Sequence, residues 1–387
     1  MVHTTLRSPL SASTPIPSRA HCAKNCRIIA SRMPLLLLLS SVCHGLVETC
    51  EELQAAFKLT KTQDVVIEIY PYVNIICADF TTMTMSSNSL TVKSSVDLRS
   101  TSSNLDLHEV RFDVTNGAQL SWEPNVEFHG TEFQDVNGGA LFIGEGSTAH
   151  FLNRLVMEDI RIASVHRDSD FANYVLSGGC VYTDGYLRVD GAATFTGCTN
   201  AGGGESNPGP GGSLYIGQQG SMLFRDSLDI SDSHLDDDGG HDGGGIYNQG
   251  NVVIEGTATF DNLWAYHGSA IYNVVGATLS FKNPAAVEFI NCLEPESKGG
   301  ALYNEGYMEF SGPALFYDSG NPAITISSYG ETILSEPSVF WGNYGSNDPF
   351  VLVKSGGHLV IPTSTLFIDN DDSDCSTVYY EENETCL

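Results

Sequence analysis

Positive charge is scarce in this 387-residue chain, with 18 Lys and Arg against 47 Asp and Glu. Five of those 18 fall within residues 1–47, where no acidic residue occurs. Beyond residue 47 the balance is 13 basic to 47 acidic, a formal charge of −34. A surface of that sign repels phosphate backbones and anionic lipid, which excludes nucleic acid and acidic membranes as partners. Polyuronate substrates are repelled for the same reason. What remains is a solvated extracellular surface, or one that collects divalent cations.

Long apolar runs are equally few. The sustained stretch lies in residues 34–42, built on Leu35 through Leu39, and it is too short to span a bilayer. With its basic lead and the small polar residues after it, residues 1–47 read as a secretory leader, cleaved within residues 43–48. Met33 is an alternative start. No second run follows, so no membrane span is expected in the mature chain, which is then secreted or held at the cell surface.

Helical spacing is missing from the middle of the chain. It occurs at residues 51–59, apolar at Leu53, Ala56 and Phe57, and suits a cap over the open end of a stack. Cysteine is sparing too: seven follow Cys43, without a Cys-x-x-Cys pair, which disfavours zinc. Cys50 with Cys77, and Cys375 with Cys386, flank the two ends and are candidate disulfides, as is Cys180 with Cys198. Cys198 and Cys292 share one repeat position, which favours stacking over pairing. The odd count leaves a free thiol or an intermolecular bridge. Asn383-Glu384-Thr385 is a glycosylation sequon at Asn383 if the source is eukaryotic.

What the chain has in abundance is a phrase. A double glycine, one residue, an aliphatic and an aromatic occur at Gly138–Phe142, Gly178–Tyr182, Gly211–Tyr215, Gly243–Tyr247 and Gly299–Tyr303. Gly268-Ser269-Ala270-Ile271-Tyr272 is a close variant. Behind the phrase, Tyr186–Phe195, Asn251–Phe260 and Tyr307–Phe316 superimpose without gaps. Their rule is polar, apolar, variable, apolar, polar, Gly, then Ala two residues before Phe. That is period 2 in short runs bounded by glycine, which predicts three brief strands per repeat. Strands so short cannot hold a flat sheet alone. Wound into a coil, each pairs in parallel with its equivalent one turn away and the apolar faces close into a dry column. The expected fold is all-β: a single-stranded right-handed parallel β-helix over residues 64–370. A cap at 48–63 precedes it and an acidic C-terminal tail at 371–387 follows.

The glycine phrase, paired with endings such as Phe195-Thr196-Gly197-Cys198, Phe260-Asp261-Asn262 and Phe289-Ile290-Asn291-Cys292, resembles the repeats of chlamydial polymorphic outer membrane proteins. The resemblance covers about residues 110 to 320. It implies a right-handed β-helix of the broader pectin-lyase-like class, displayed outside the cell and often adhesive. The membrane β-barrel that follows such passengers in that family has no counterpart in this sequence.

Chemistry is harder to find. Insertions at 152–177, 199–210, 231–242 and 293–298 all fall after the Phe strand and before the next glycine phrase, hence at one corner of the coil. In one of them Asp232, Asp236, Asp237, Asp238 and Asp242 offer oxygens suited to calcium, although the spacing is neither an EF-hand nor a calcium-roll nonapeptide. His234 and His241 add a weaker transition-metal option. A hydrated acidic loop is the simpler account. A hydrolase requires converging carboxylates, one with a raised pKa. Asp190, Asp226 and Glu255 are strand-borne but sit at bends or outward positions, and Arg188 and Arg225 are the strand-borne cations. The Asp-Asp with Gly-His-Gly set of polygalacturonases, the Asp-Pro-His-Asp motif of alginate epimerases, a Ser-His-Asp set and a phosphate-cradling Gly-x-x-x-x-Gly-Lys are not found, and His267-Gly268 is a faint echo. No catalytic residue is assigned.

Asn248, Asn273 and Asn304 each follow the phrase's Tyr and are expected to bond one another along the axis. Tyr182, Tyr215, Tyr247, Tyr272 and Tyr303 form a matching column, expected to pack beneath the loops or, if outward, to stack on sugar rings. Together these features predict an adhesin-like protein that contacts extracellular glycans or protein surfaces through loops on one side. A polysaccharide-active lyase, hydrolase or epimerase is the first alternative, and a structural matrix protein the second.

Overall fold

The computed structural model describes residues 43–69, 73–94, 104–163, 176–201, 209–235, 242–282, 286–293, 300–320, 322–343, 349–368, 377–382 and 385–386. One coil shows how the sequence becomes structure. Ile246–Asn248 lies on one face, Asn251–Ile254 on the next and Ala258–Asp261 on a third. In each strand the apolar positions are buried and the alternate positions point out. The next coil repeats this with Ile271–Asn273, Thr278–Phe281 and Val287–Ile290, each strand in parallel register with its predecessor. The expected parallel β-helix is the fold.

The face carrying Asn251–Ile254, hereafter the first face, is a 12-stranded sheet from Cys43–Val47 to His358–Val360. The second face carries the Phe strands and the third the Tyr strands. They form one continuous sheet because Val73–Met85 and Asn104–Val114 run across the corner between them. Among the described residues every pairing is parallel except the last, between Val378–Tyr380 and Thr385–Cys386. The helix Cys50–Leu59 covers the N-terminal end, with Cys50, Leu53, Ala56 and Phe57 buried. Its start is fixed by a capping box in which Thr49 and Glu52 satisfy each other's backbone N–H groups. No described helix is long and apolar enough to cross a membrane.

The doubled glycine has two separate causes, visible at Gly178-Gly179. Gly178 sits at φ +70°, where a side chain is strained. A Cβ on Gly179 would lie 2.1 Å from the Gly212 carbonyl oxygen of the next rung. The corner after the second face uses a different device. Asp159, Asp232, Asn262, Asn291 and Asp318 take φ of 49–55° there, with Gly197 and Gly342 in the equivalent places. Asn, Asp and Gly are the residues that tolerate this conformation. Inside, Phe260, Phe289, Phe316, Phe340 and Phe367 stack at centroid separations of 5.0, 4.8, 4.6 and 4.9 Å. Truncating a buried member of such a column costs about 3–5 kcal/mol.

Three boundaries differ from those expected. Residues 43–47, placed at the end of the leader, pair in parallel with Val65–Ile69 as the first rung of the first face. Residues 155–163, read as part of an insertion, form the strand Leu155–Ala163 between Asn125–Gln134 and Ala193–Thr196. Met157 stands there where the repeat has Phe, and the pattern is hidden by that exchange. Val378–Tyr380, read as tail, pairs with Val351–Val353 and adds a rung to the third face.

Candidate functional site

The insertions share one slot. Residues 164–175, 202–208, 236–241 and 294–298 all lie between the corner after the second face and the next glycine phrase, and 344–348 lie before the third-face strand Val351–Val353; all are outside the described residues. The residues on either side of them stack rung on rung. On the departing side Thr199 pairs with His234, His234 with Trp264 and Trp264 with Leu293. On the returning side the Gly178 N–H donates to the Gly211 carbonyl, Gly211 to Asp242 and Gly243 to His267, at 3.0–3.1 Å.

Directly beyond that corner runs the aromatic column of the third face. Phe142, Tyr182, Tyr215, Tyr247, Tyr272 and Tyr303 occupy the same outward register position. Successive centroids are 5.1, 4.8, 5.5, 5.3 and 5.0 Å apart and the planes lie within 14° of parallel. The column is therefore outward, but its ring faces are already used on one another. Sugar rings cannot stack on faces that are covered, which removes the stacking mode expected for an outward column. The half-buried edges of Tyr182, Tyr215, Tyr247 and Tyr272 instead carry phenol oxygens at rung spacing, and Tyr303 ends the line buried. The Tyr182 hydroxyl donates to Asp184 Oδ2 at 2.8 Å, Tyr215 to Gln249 Oε1 at 3.2 Å, and Lys354 Nζ donates to the Tyr303 hydroxyl at 3.1 Å. Burial and the neighbouring Tyr247 and Asp184 push the Tyr215 phenol up to about 12. Burial raises Tyr182, Tyr247 and Tyr272 as well. These four phenols stay protonated at physiological pH, and the column presents hydroxyls that donate at Tyr182 and Tyr215 and accept at Tyr247 and Tyr303.

The strand-borne charges resolve into an ion ladder. Asp190, Arg225, Glu255 and Lys282 occupy equivalent places just after the first face, each N–H bonded to the preceding rung. Arg225 Nε lies 3.6 Å from Asp190 and 3.4 Å from Glu255. Arg188 Nε and His150 Nε2 hold Asp190 at 2.7 and 2.8 Å. Burial alone raises the Asp190 carboxyl, but its hydrogen bonds to Arg188 and His150 outweigh burial and hold it below the usual carboxylate range. A carboxylate kept ionised by Arg188, Arg225 and the His150 hydrogen bond is not a proton donor, and glycoside hydrolysis needs one. Asp226 lies at the bend, its backbone carbonyl 2.0 Å from where a Gly256 Cβ would stand.

Of the acidic loop, Asp236, Asp237, Asp238 and His241 lie outside the described residues, as do Cys375, Asn383 and the side chain of Cys386. Asp232 and Asp242 take separate partners. Asp232 accepts from Asn262 Nδ2 at 2.6 Å, while Asp242 meets His267 Nδ1 at 2.7 Å. Sequence reasoning missed Asp261, which lies against Asp232 closely enough for the two charges to interact. Asn248, Asn273 and Asn304 form the expected ladder: Nδ2 of each bonds Oδ1 of the next at 2.8 Å, ending on Thr332 Oγ1 at 2.9 Å. Disulfides join Cys50 to Cys77 and Cys180 to Cys198, and Cys292 is a buried free thiol. An ion pair with a buried arginine also went unread. Arg111 bonds Asp113 at 2.7 Å and donates to the carbonyls of Asn137 and Gly138, fixing the first glycine phrase.

The fold thus defines the class, a parallel β-helix. Comparison with protein-family models, with curated proteins and with solved structures gave no match to this chain.

Proposed function

We propose that this is a secreted β-helix protein of the cell surface or extracellular matrix, adhesin-like, that binds an extended glycan or a protein surface. The observation that carries the reading is the line of phenol edges bordering the corner after the second face, where the insertions ahead of the glycine phrases fall in the sequence. The rungs repeat at about 4.8 Å, so the donors and acceptors form a linear array suited to a polymer rather than to a compact metabolite. The neutral phenols suit hydroxyl-rich ligands, and the strongly negative surface disfavours anionic ones.

The test is a binding screen of the secreted chain against neutral oligosaccharides, repeated with Tyr215→Phe/Tyr247→Phe. That variant keeps the ring stack and removes two hydroxyls. Two lost hydrogen bonds of about 1 kcal/mol each predict binding weakened by roughly tenfold or more. Unchanged affinity, or no binding by the wild type to any oligosaccharide, contradicts the reading.

A further inference from the structure

On the outer second face near the N-terminal end, two neighbouring strands repeat one pattern. Leu105-Asp106-Leu107-His108 lies in register with Val126-Glu127-Phe128-His129. The apolar members point inward and are buried. Two carboxylates and two imidazoles are thereby brought to adjacent outward places on consecutive rungs. One ligand atom from each of Asp106, Glu127 and His129 lies within 4.8 Å of the others. The rings of His108 and His129 stack at 5.0 Å. The following strand adds Glu158, whose Oε2 is 3.4 Å from His129 Nδ1.

Charge around this group is unbalanced. Three carboxylates, from Asp106, Glu127 and Glu158, surround His129, and Arg154 binds Glu127 Oε1 at 2.8 Å while Oε2 turns toward His129 Nε2 at 3.7 Å. Among the described residues no donor stands against Asp106. All three ligand residues are half-buried, so their side chains are already confined by neighbouring strands. An imidazole beside two carboxylates is a donor set for borderline divalent metals, whereas calcium takes oxygen alone.

We propose that Asp106, Glu127 and His129 hold a divalent transition-metal ion of the zinc class, clipping two rungs together and leaving coordination places open to an outside donor. The proposal is independent of the phenol column. Its test is calorimetric titration of the chelator-treated full chain with zinc chloride, beside His129→Ala, Glu127→Gln and a His150→Ala control. Wild type and the control take up one more zinc per chain than His129→Ala, and Glu127→Gln weakens that uptake by more than tenfold. Circular dichroism melts establish that the variants are folded. Cobalt(II) gives a second readout, visible absorption present in wild type and lost in His129→Ala. Equal zinc stoichiometry in wild type and His129→Ala overturns the proposal. So does the absence of saturable zinc uptake, or displacement of the bound zinc by millimolar calcium.

Discussion

The corner after the second face shows how much a single side chain decides. Its left-handed conformation admits Asn, Asp or Gly, and the column that results puts Asp232, Asn262 and Asn291 in hydrogen-bond contact along the axis. Asp261, one residue earlier, is less comfortable. Burial and then the charge of Asp232 raise its carboxyl, against a lowering hydrogen bond from the Asn262 backbone. An acid whose folded pKa is raised loses stability as pH climbs from its unfolded value, about 3.9, through the folded one. Asp261→Asn is therefore more stable than wild type at pH 7, and the two converge below about pH 4. Urea midpoints at pH 7 and pH 3.5 check this. A variant less stable at pH 7 would contradict it. The sequence shows that Asp232 is acidic and loop-flanked. It does not show Asp261 beside it, because that contact is made between rungs.

Elements in this protein are stable through their neighbours above and below. A strand of three or four residues has few contacts of its own, and the asparagine ladder shows how rungs are tied. Asn273 donates to Asn304 Oδ1 and to the Tyr307 carbonyl, and accepts from Asn248. All three are fully buried. Asn273→Ala removes two ladder bonds and the one to the Tyr307 carbonyl, leaving Asn248 Nδ2 with the Thr278 carbonyl and Asn304 Oδ1 with the Gly306 N–H, at a cost of about 2–4 kcal/mol. Denaturant unfolding measures that cost, and a loss under 1 kcal/mol would mean the ladder is not formed. The ladder was legible because its members recur at one place in the phrase. The ion ladder of Asp190, Arg225 and Glu255 was not, because the residue type changes at every rung and only the corner is constant. The strand Leu155–Ala163 was missed for a related reason, Met157 replacing the signature Phe. The metal-ligand pattern was present as Asp106-x-His108 and Glu127-x-His129, and register alone reveals that the two are adjacent.

Among the described residues, twelve rungs of the first face run from a helix-capped end to an edge where Val360, Leu366 and Ile368 are exposed. The architecture was readable because repetition forces it: a repeat that cannot bury its own apolar face has to stack on its copies. Where the solenoid begins and ends was less readable, since terminal rungs depart from the phrase. The two functional proposals, the phenol array and the metal clip, both require that residues far apart in sequence lie one rung apart in space. Electron–electron dipolar spectroscopy tests that requirement directly, with nitroxides on introduced p-acetylphenylalanine at outward first-face positions. Ser89 and Ser221 are four rungs apart, and Ser89 and Glu331 eight. At about 4.8 Å per rung the distances are roughly 19 and 38 Å, narrow and in the ratio of two. Broad distributions, or a second distance no longer than the first, would contradict the stacked coil.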